Sequence, residues 1–261
     1  MELGKNTDYS MVYNSDILDP ITRITLSNSY GYDIWTCYEL SWLNIKGKPE
    51  VAILTLYIPS TSVFIIESKS LKLYLNSFNN KKISSTQELK NIIKADLEKC
   101  CDSKIDLVID TIEEFLQKTE QKFTGANLDN LDIECNDYNK EKNSLRTLDN
   151  ACEEELYTHL FRSHCPVTNQ PDYASIYVKY KASKQIHHES LLQYLVSFRN
   201  HPSFHEKCIE EIFVDLYDIL KPELLTVYGR FLRRGGIDIN PVRSNKQITS
   251  DMIINYPMIR Q

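Results

Sequence analysis

The chain repeats itself, and this limits its possible folds more than any other feature. Tyr74-Leu-Asn-Ser-Phe-Asn-Asn80 and Tyr194-Leu-Val-Ser-Phe-Arg-Asn200 agree at five of seven positions, at an offset of 194 − 74 = 120. Each follows a Glu-Ser pair, Glu67-Ser68 and Glu189-Ser190, while Pro49-Glu50-Val51-Ala52 parallels Pro171-Asp172-Tyr173-Ala174 upstream and Asp96-Leu97 parallels Asp215-Leu216 downstream. Self-similarity at a fixed spacing marks two copies of one structural unit. The segment between them, 118–150, is rich in Asn, Asp, Lys and Glu and reads as an exposed connection. The expected organisation is a first module over 1–125, a connection over 126–150 and a second module over 151–261.

Both copies carry the same kinds of element. Apolar alternation from Val51 to Ile58, from Val63 to Ile66 and from Ala174 to Tyr180 predicts strands, the first two as an antiparallel hairpin. Leu89, Ile92, Ile93, Leu97 and Cys100 recur at helical spacing, as do Cys208, Ile212, Phe213, Leu216 and Leu220. Further strands are expected at Ile105 to Ile109 and Leu224 to Phe231. The module is therefore α+β, an antiparallel sheet with helices on one face.

Composition narrows the functions. With 30 Lys and Arg against 36 Asp and Glu, the formal charge is -6, the wrong sign for a protein that neutralises a nucleic-acid backbone. No apolar run is long enough to cross a membrane, and the opening MELGKNTDYS lacks the basic and apolar regions of an export signal, so a cytoplasmic protein is expected. Seven cysteines in such a setting read as reduced thiols. None of the seven glycines forms a glycine-rich nucleotide cradle, so any dinucleotide is held by other means.

Four segments hold polar residues in one copy that the other has replaced. Ser163-His164-Cys165-Pro166-Val167-Thr168-Asn169-Gln170-Pro171-Asp172 sets a thiol and a carboxylate on either side of a turn. Phe204-His205-Glu206 aligns with Thr86-Gln87-Glu88, which lacks the histidine. Ile66-Glu67-Ser68-Lys69-Ser70-Leu71-Lys72-Leu73-Tyr74 carries two lysines absent from the second copy, and Arg233-Arg234-Gly235-Gly236 lies near the end.

With these four in order over nearly the whole chain, the sequence resembles the NADPH-dependent 7-cyano-7-deazaguanine reductases of queuosine biosynthesis, in their two-module form. The resemblance implies tandem tunnelling-fold modules and reduction of a nitrile to an aminomethyl group. It implies Cys165 as a nucleophile forming a thioimidate, Asp172 as the acid and His205 as an assistant in proton delivery or nitrogen binding. Thiolate addition would split one difficult hydride transfer into easier steps. Ile66, Glu67, Ser68, His205 and Glu206 are implied for the deazaguanine, with Glu206 accepting two N–H donors at once. Ser68, Lys69, Arg234 and Gly235 are implied for NADPH, with charge-assisted bonds in place of a glycine-rich loop. A homodimer is expected, with no resident metal.

Other readings of the same residues stay open at this point. Glu67 to Lys72 also reads as a solvated strand end, and Arg233-Arg234 as a surface charge pair. His201, His205 and Cys208 stand at positions i, i+4 and i+7, one helix face, which suits zinc and a hydrolase of the cyclohydrolase kind. Pro202 between the histidines argues against that helix.

Overall fold

A computed structural model of the protein describes residues 12–27, 29–118, 123–253, 258 and 261. The opening segment read for its lack of an export signal lies outside the described residues. The first half runs β1 (Pro20–Thr22), β2 (Tyr30–Leu43), β3 (Pro49–Pro59), β4 (Phe64–Ile66), α1 (Ser68–Asn76), α2 (Thr86–Cys101), β5 (Asp106–Asp110) and α3 (Ile112–Leu116). After β6 (Ala126–Asn127) and β7 (Thr147–Leu148) come β8 (Cys152–His164), β9 (Pro171–Ala182), β10 (Gln185–Ile186), α4 (His188–Ser197), α5 (His205–Leu220), β11 (Leu224–Phe231) and β12 (Ile237–Ser244).

The two halves share one sheet of eight strands, ordered β5-β3-β2-β12-β11-β9-β8-β6, antiparallel except for the β6–β8 pair. An α+β architecture with a predominantly antiparallel sheet is what the repeat led us to expect. Each half packs its helices on the sheet through its own apolar cluster. One includes Trp35, Leu54, Leu71, Tyr74 and Leu97, and the other includes Phe161, Ile176, Tyr194, Ile212 and Leu216. Burial of these side chains supplies the main drive to fold, since each is worth about 1.5–3 kcal/mol when removed from water.

The matching heptapeptides now have a physical role. Tyr74 donates its hydroxyl to Asp96 at 2.6 Å, and Tyr194 donates to Asp215 at 2.7 Å. In both copies a tyrosine of the first long helix thus ties down an aspartate of the second. The long strands match too, with a bulge between Cys37 and Leu40 in β2 and another between Thr158 and Phe161 in β8. An extra residue at each bulge reverses the side-chain alternation and keeps Trp35 and Leu40, or Leu156 and Phe161, on one face.

Three expectations need correction. The apolar stretches 51–58 and 63–66 form no hairpin: β3 pairs with β2 and β5, while β4 pairs with β1 in a separate two-stranded ribbon. The sharp turn after Pro59 takes β4 off the sheet. The structural counterpart of Glu67-Ser68 is His187-His188, not Glu189-Ser190, because α1 begins at Ser68 and α4 at His188. Likewise α2 and α5 begin at Thr86 and His205, so His205 stands opposite Thr86 rather than Gln87.

The polar segment 126–150 also does more than connect. Its Leu128 and Leu145 are buried in the second cluster. β7 pairs with β10 as β1 pairs with β4, and His187 donates its N–H to Arg146 O as Glu67 does to Asp19 O.

The halves join where β2 meets β12, and Gly31 stands opposite Arg243 there. With φ +153, a Cβ on Gly31 would lie 2.0 Å from the carbonyl oxygen of Val242. Gly31→Ala is therefore expected to destabilise the protein by about 3 kcal/mol or more, read as a lowered urea midpoint. A midpoint unchanged within error would show that the strands can separate at little cost. Among the described residues no helix is long and apolar enough to cross a membrane.

Candidate active site

The ribbon of β1 and β4 delivers one wall of a cleft. Chain direction changes after Ile66, and Glu67 becomes the N-cap of α1, its carboxylate accepting from Lys69 N at 3.0 Å and Ser70 N at 2.8 Å. A helix start leaves backbone N–H groups without partners, and an anion there is doubly favoured, by hydrogen bonds and by the helix dipole. Glu67 is buried. The reading of this segment as a solvated strand end is thus replaced by a helix start. Leu71, Tyr74 and Leu75 sit at helical spacing against the core, which leaves Ser68, Lys69 and Lys72 to line the cleft.

The opposite wall comes from the second half. The turn between β8 and β9 is closed by Asn169 N donating to Cys165 O at 3.0 Å and Cys165 N donating to Gln170 O at 2.9 Å. Asn169 takes a left-handed φ of +56, which an asparagine tolerates better than most residues. Bonds from His164 N to His201 O and from Ser203 N to His164 O, both 3.0 Å, fasten this turn to the segment before α5. Cys165 and Asp172 are both buried, at 7% and 8% exposure, and both line the cleft.

Asp172 has a positively polarised group on each oxygen. His205 Nε2 lies 3.4 Å from Oδ2, and Arg234 Nη2 bonds Oδ1 and also donates to Pro171 O at 3.3 Å. The His205 ring stacks on Phe231, centroids 3.8 Å apart and planes within 4°, so its orientation is fixed by packing. Its buried Nδ1 has no hydrogen-bond partner among the described residues. Arg234 precedes a two-residue hairpin turn in which Gly235 and Gly236 have φ +58 and +78, a backbone that only glycine adopts freely at both positions. The sequence pointed Arg234 at the cofactor; its guanidinium here holds the candidate acid. A separation of 62 residues hid that contact from any local pattern.

Glu206, in the first turn of α5, is buried. Burial pushes its carboxyl above the usual range, and the charge of Asp33 adds to this. The first turn of α2 is capped by the Ser85 side chain, whereas Phe204 leaves α5 without a side-chain cap.

All ten expected residues line one cleft of about 220 Å³: Ile66, Glu67, Ser68 and Lys69 from the first half, and Cys165, Asp172, His205, Glu206, Arg234 and Gly235 from the second. Lys72 and Pro166 line it too, and Trp35, Ile65, Phe204, Leu232, Ile237 and Ile239 add apolar walls; sequence reading missed Trp35, Ile65 and Leu232 because they carry no motif, and gave Phe204 no role although it stands in the Phe204-His205-Glu206 segment. Their apolar surfaces suit a flat heterocycle, with the polar groups setting its orientation. The zinc grouping does not assemble. His201 Nε2 faces Glu211 at 3.1 Å, His205 faces Asp172, and Cys208 is fully buried. The helix begins only at His205, after Pro202, so the three are not on one helix face.

Residues 9–109 match the family described as nitrile reductase, 7-cyano-7-deazaguanine-reductase N-term, and residues 171–250 match the QueF-like protein family. A protein of Legionella pneumophila (strain Lens) is 46% identical over 271 residues, spanning 100% of this chain and 94% of its own. One from Desulfotalea psychrophila is 44% identical, spanning 99% and 96%, and one from Paraburkholderia phymatum is 42% identical, spanning 93% and 92%. All three are named NADPH-dependent 7-cyano-7-deazaguanine reductase.

Proposed function

The chain belongs to the family of NADPH-dependent 7-cyano-7-deazaguanine reductases, and on that premise we propose how its cleft carries out the reaction. The enzyme reduces the nitrile of 7-cyano-7-deazaguanine with NADPH. The observation that supports assigning this chemistry to the cleft is the meeting there of motif residues from both halves.

Glu206 accepts two N–H donors of the deazaguanine edge, while Ile66, Glu67 and Ser68 line the other side and Trp35 and Phe204 provide apolar walls. Cys165 Sγ attacks the nitrile carbon. One π pair of the C≡N bond moves to nitrogen, which takes a proton from Asp172, and Asp172 regains one from the Cys165 thiol, so the net step adds S–H across C≡N. Arg234 and His205 hold Asp172 in place for that exchange. His205, whose second ring nitrogen has no partner among the described residues, assists proton delivery.

Lys69, Arg234 and the glycine turn provide a cationic, open rim that fits a dinucleotide phosphate: a Cβ on Gly235 would meet nothing nearer than Lys72 Nζ, at 3.5 Å. Ser68 and that rim would hold NADPH, which would supply the two hydrides of a four-electron reduction. We read the halves, 1–125 and 151–261 about the 126–150 segment, as tandem tunnelling-fold modules of a cytoplasmic enzyme in queuosine biosynthesis.

Consumption of two NADPH for each 7-cyano-7-deazaguanine added tests the reading, and no consumption would refute it. Lys69→Ala should raise the KM for NADPH by roughly 10-fold to 100-fold, the worth of one charge-assisted bond, and leave covalent capture of the nitrile unchanged. Arg234→Ala should impair both, because this side chain also holds Asp172. Equal loss in both assays for Lys69→Ala would remove Lys69 from the cofactor site. β5 is a terminal strand of the sheet, a position that can template strand pairing, and a homodimer covers such edges. Light scattering should report twice the chain mass; the chain mass alone would end the dimer proposal.

A further inference from the structure

We propose that Arg23, Asp33, Glu210 and Arg243 form a positioning network that keeps Glu206 available as the carboxylate that reads the substrate. The inference rests on the reading of Glu206 given above and extends it to four residues that line no part of the main cleft.

A second cavity of about 110 Å³ lies behind Glu206, and it shares Ile65, Phe204 and Glu206 with the cleft. Arg23, Glu210 and Arg243 line it. Arg23 Nη2 lies 2.7 Å from Asp33 Oδ2, Arg243 Nη2 lies 2.8 Å from Asp33 Oδ1, and Arg243 Nε lies 2.5 Å from Glu210 Oε2. Ser27 adds a hydroxyl to Glu210 Oε1 at 2.6 Å. None of these four side chains is more than 6% exposed. The four members come from the segment after β1, from β2, from α5 and from β12, so the network ties both halves of the chain to the start of α5.

Charge balance explains what such a network can do. Two guanidinium groups and two carboxylates cancel, which leaves Glu206 as a fifth charge with no cation ion-paired to it among the described residues. A carboxylate already locked to an arginine would have little capacity left for two N–H donors, whereas one left without any nearby cation would take up a proton on burial. Burial pushes Asp33 up, and Arg23 and Arg243 more than reverse this, holding it below the usual range. Asp33 therefore stays ionised and pushes the Glu206 carboxyl up, while the guanidinium of Arg23 in the same network pulls it down. From α5, His205 and Lys207 flank Glu206 and Glu210 follows one turn later; Glu67 and Asp172 face it across the cleft. Buried ion networks contribute little net stability, so four charges held here are better explained by what they do to the fifth.

The test is binding of 7-cyano-7-deazaguanine, read from tryptophan fluorescence in a Cys165→Ala background across pH. Binding needs ionised Glu206 and is lost as pH falls through its titration. Glu210→Gln removes a negative charge and should move that acid limb down by about one pH unit; Arg23→Gln removes a positive charge and should move it up by a similar amount. Arg23→Lys should restore the limb. Asp33→Asn replaces Glu210→Gln if the latter fails to fold, with the same downward shift expected. A network with a purely structural role would shift both variants the same way or neither, and that result overturns the proposal. Glu206→Gln separates the two claims: it should weaken binding at least about 10-fold. If it binds normally, the reading of Glu206 fails; if it loses binding while the network variants show no opposite shifts, only the network fails.

Discussion

Incubated with 7-cyano-7-deazaguanine and no NADPH, the protein is expected to gain the mass of one nitrile per chain. Cys165→Ala should gain none and lose turnover by at least about 10⁴-fold, since removing a nucleophile leaves only binding and orientation to act. Cys165 is the cysteine that lines the cleft. Cys37 and Cys208 are buried, and burial pushes both thiols up, that of Cys208 to about 12, which keeps them protonated and poorly nucleophilic. Cys100 is the rival to watch, because a hydrogen bond from Cys101 lowers its thiol and it is only half-buried. It lies at the far end of α2, outside the cleft. Digestion of the adduct should place the added mass on the Cys165 peptide, and mass on the Cys100 peptide, or an adduct that survives in Cys165→Ala, would end the assignment.

Asp172→Asn should slow both adduct formation and turnover by about 10²- to 10⁴-fold, the usual contribution of a positioned proton donor. Asparagine keeps the shape and can still accept from Arg234, but it cannot carry a proton from thiol to nitrogen. Arg234 and His205 remain in place around it, so the loss would report proton transfer rather than collapse of the site. A loss of less than about tenfold would move the acid role to His205 or to water.

Parts of this were legible in the sequence for definite reasons. The helices α2 and α5 were readable because their apolar residues keep a helical period over sixteen residues each. Strands β2 and β8 escaped because a bulge in each reverses the alternation midway, so neither presents one unbroken period. Helix α1 escaped for another reason: its first residues, Ser68-Lys69-Ser70, are polar, and its cap is a glutamate rather than the usual short side chain. The ten residues that meet in the cleft were legible through their motifs. What each touches was not, since Arg234 meets Asp172, and Arg243 meets Asp33 and Glu210, only when distant strands come together.

The join of β2 to β12 makes the two halves neighbours on one covalent chain. In an assembly of identical single modules, every subunit would have to encode both walls of the cleft, and each change to one wall would appear in all copies. Fusion removes that symmetry. Glu50 occupies the register position of Asp172, and Thr86 that of His205, yet neither has to take part in catalysis. Each half is thus free to accumulate substitutions that would be lethal to its twin, and the paired chain carries its own license to diverge.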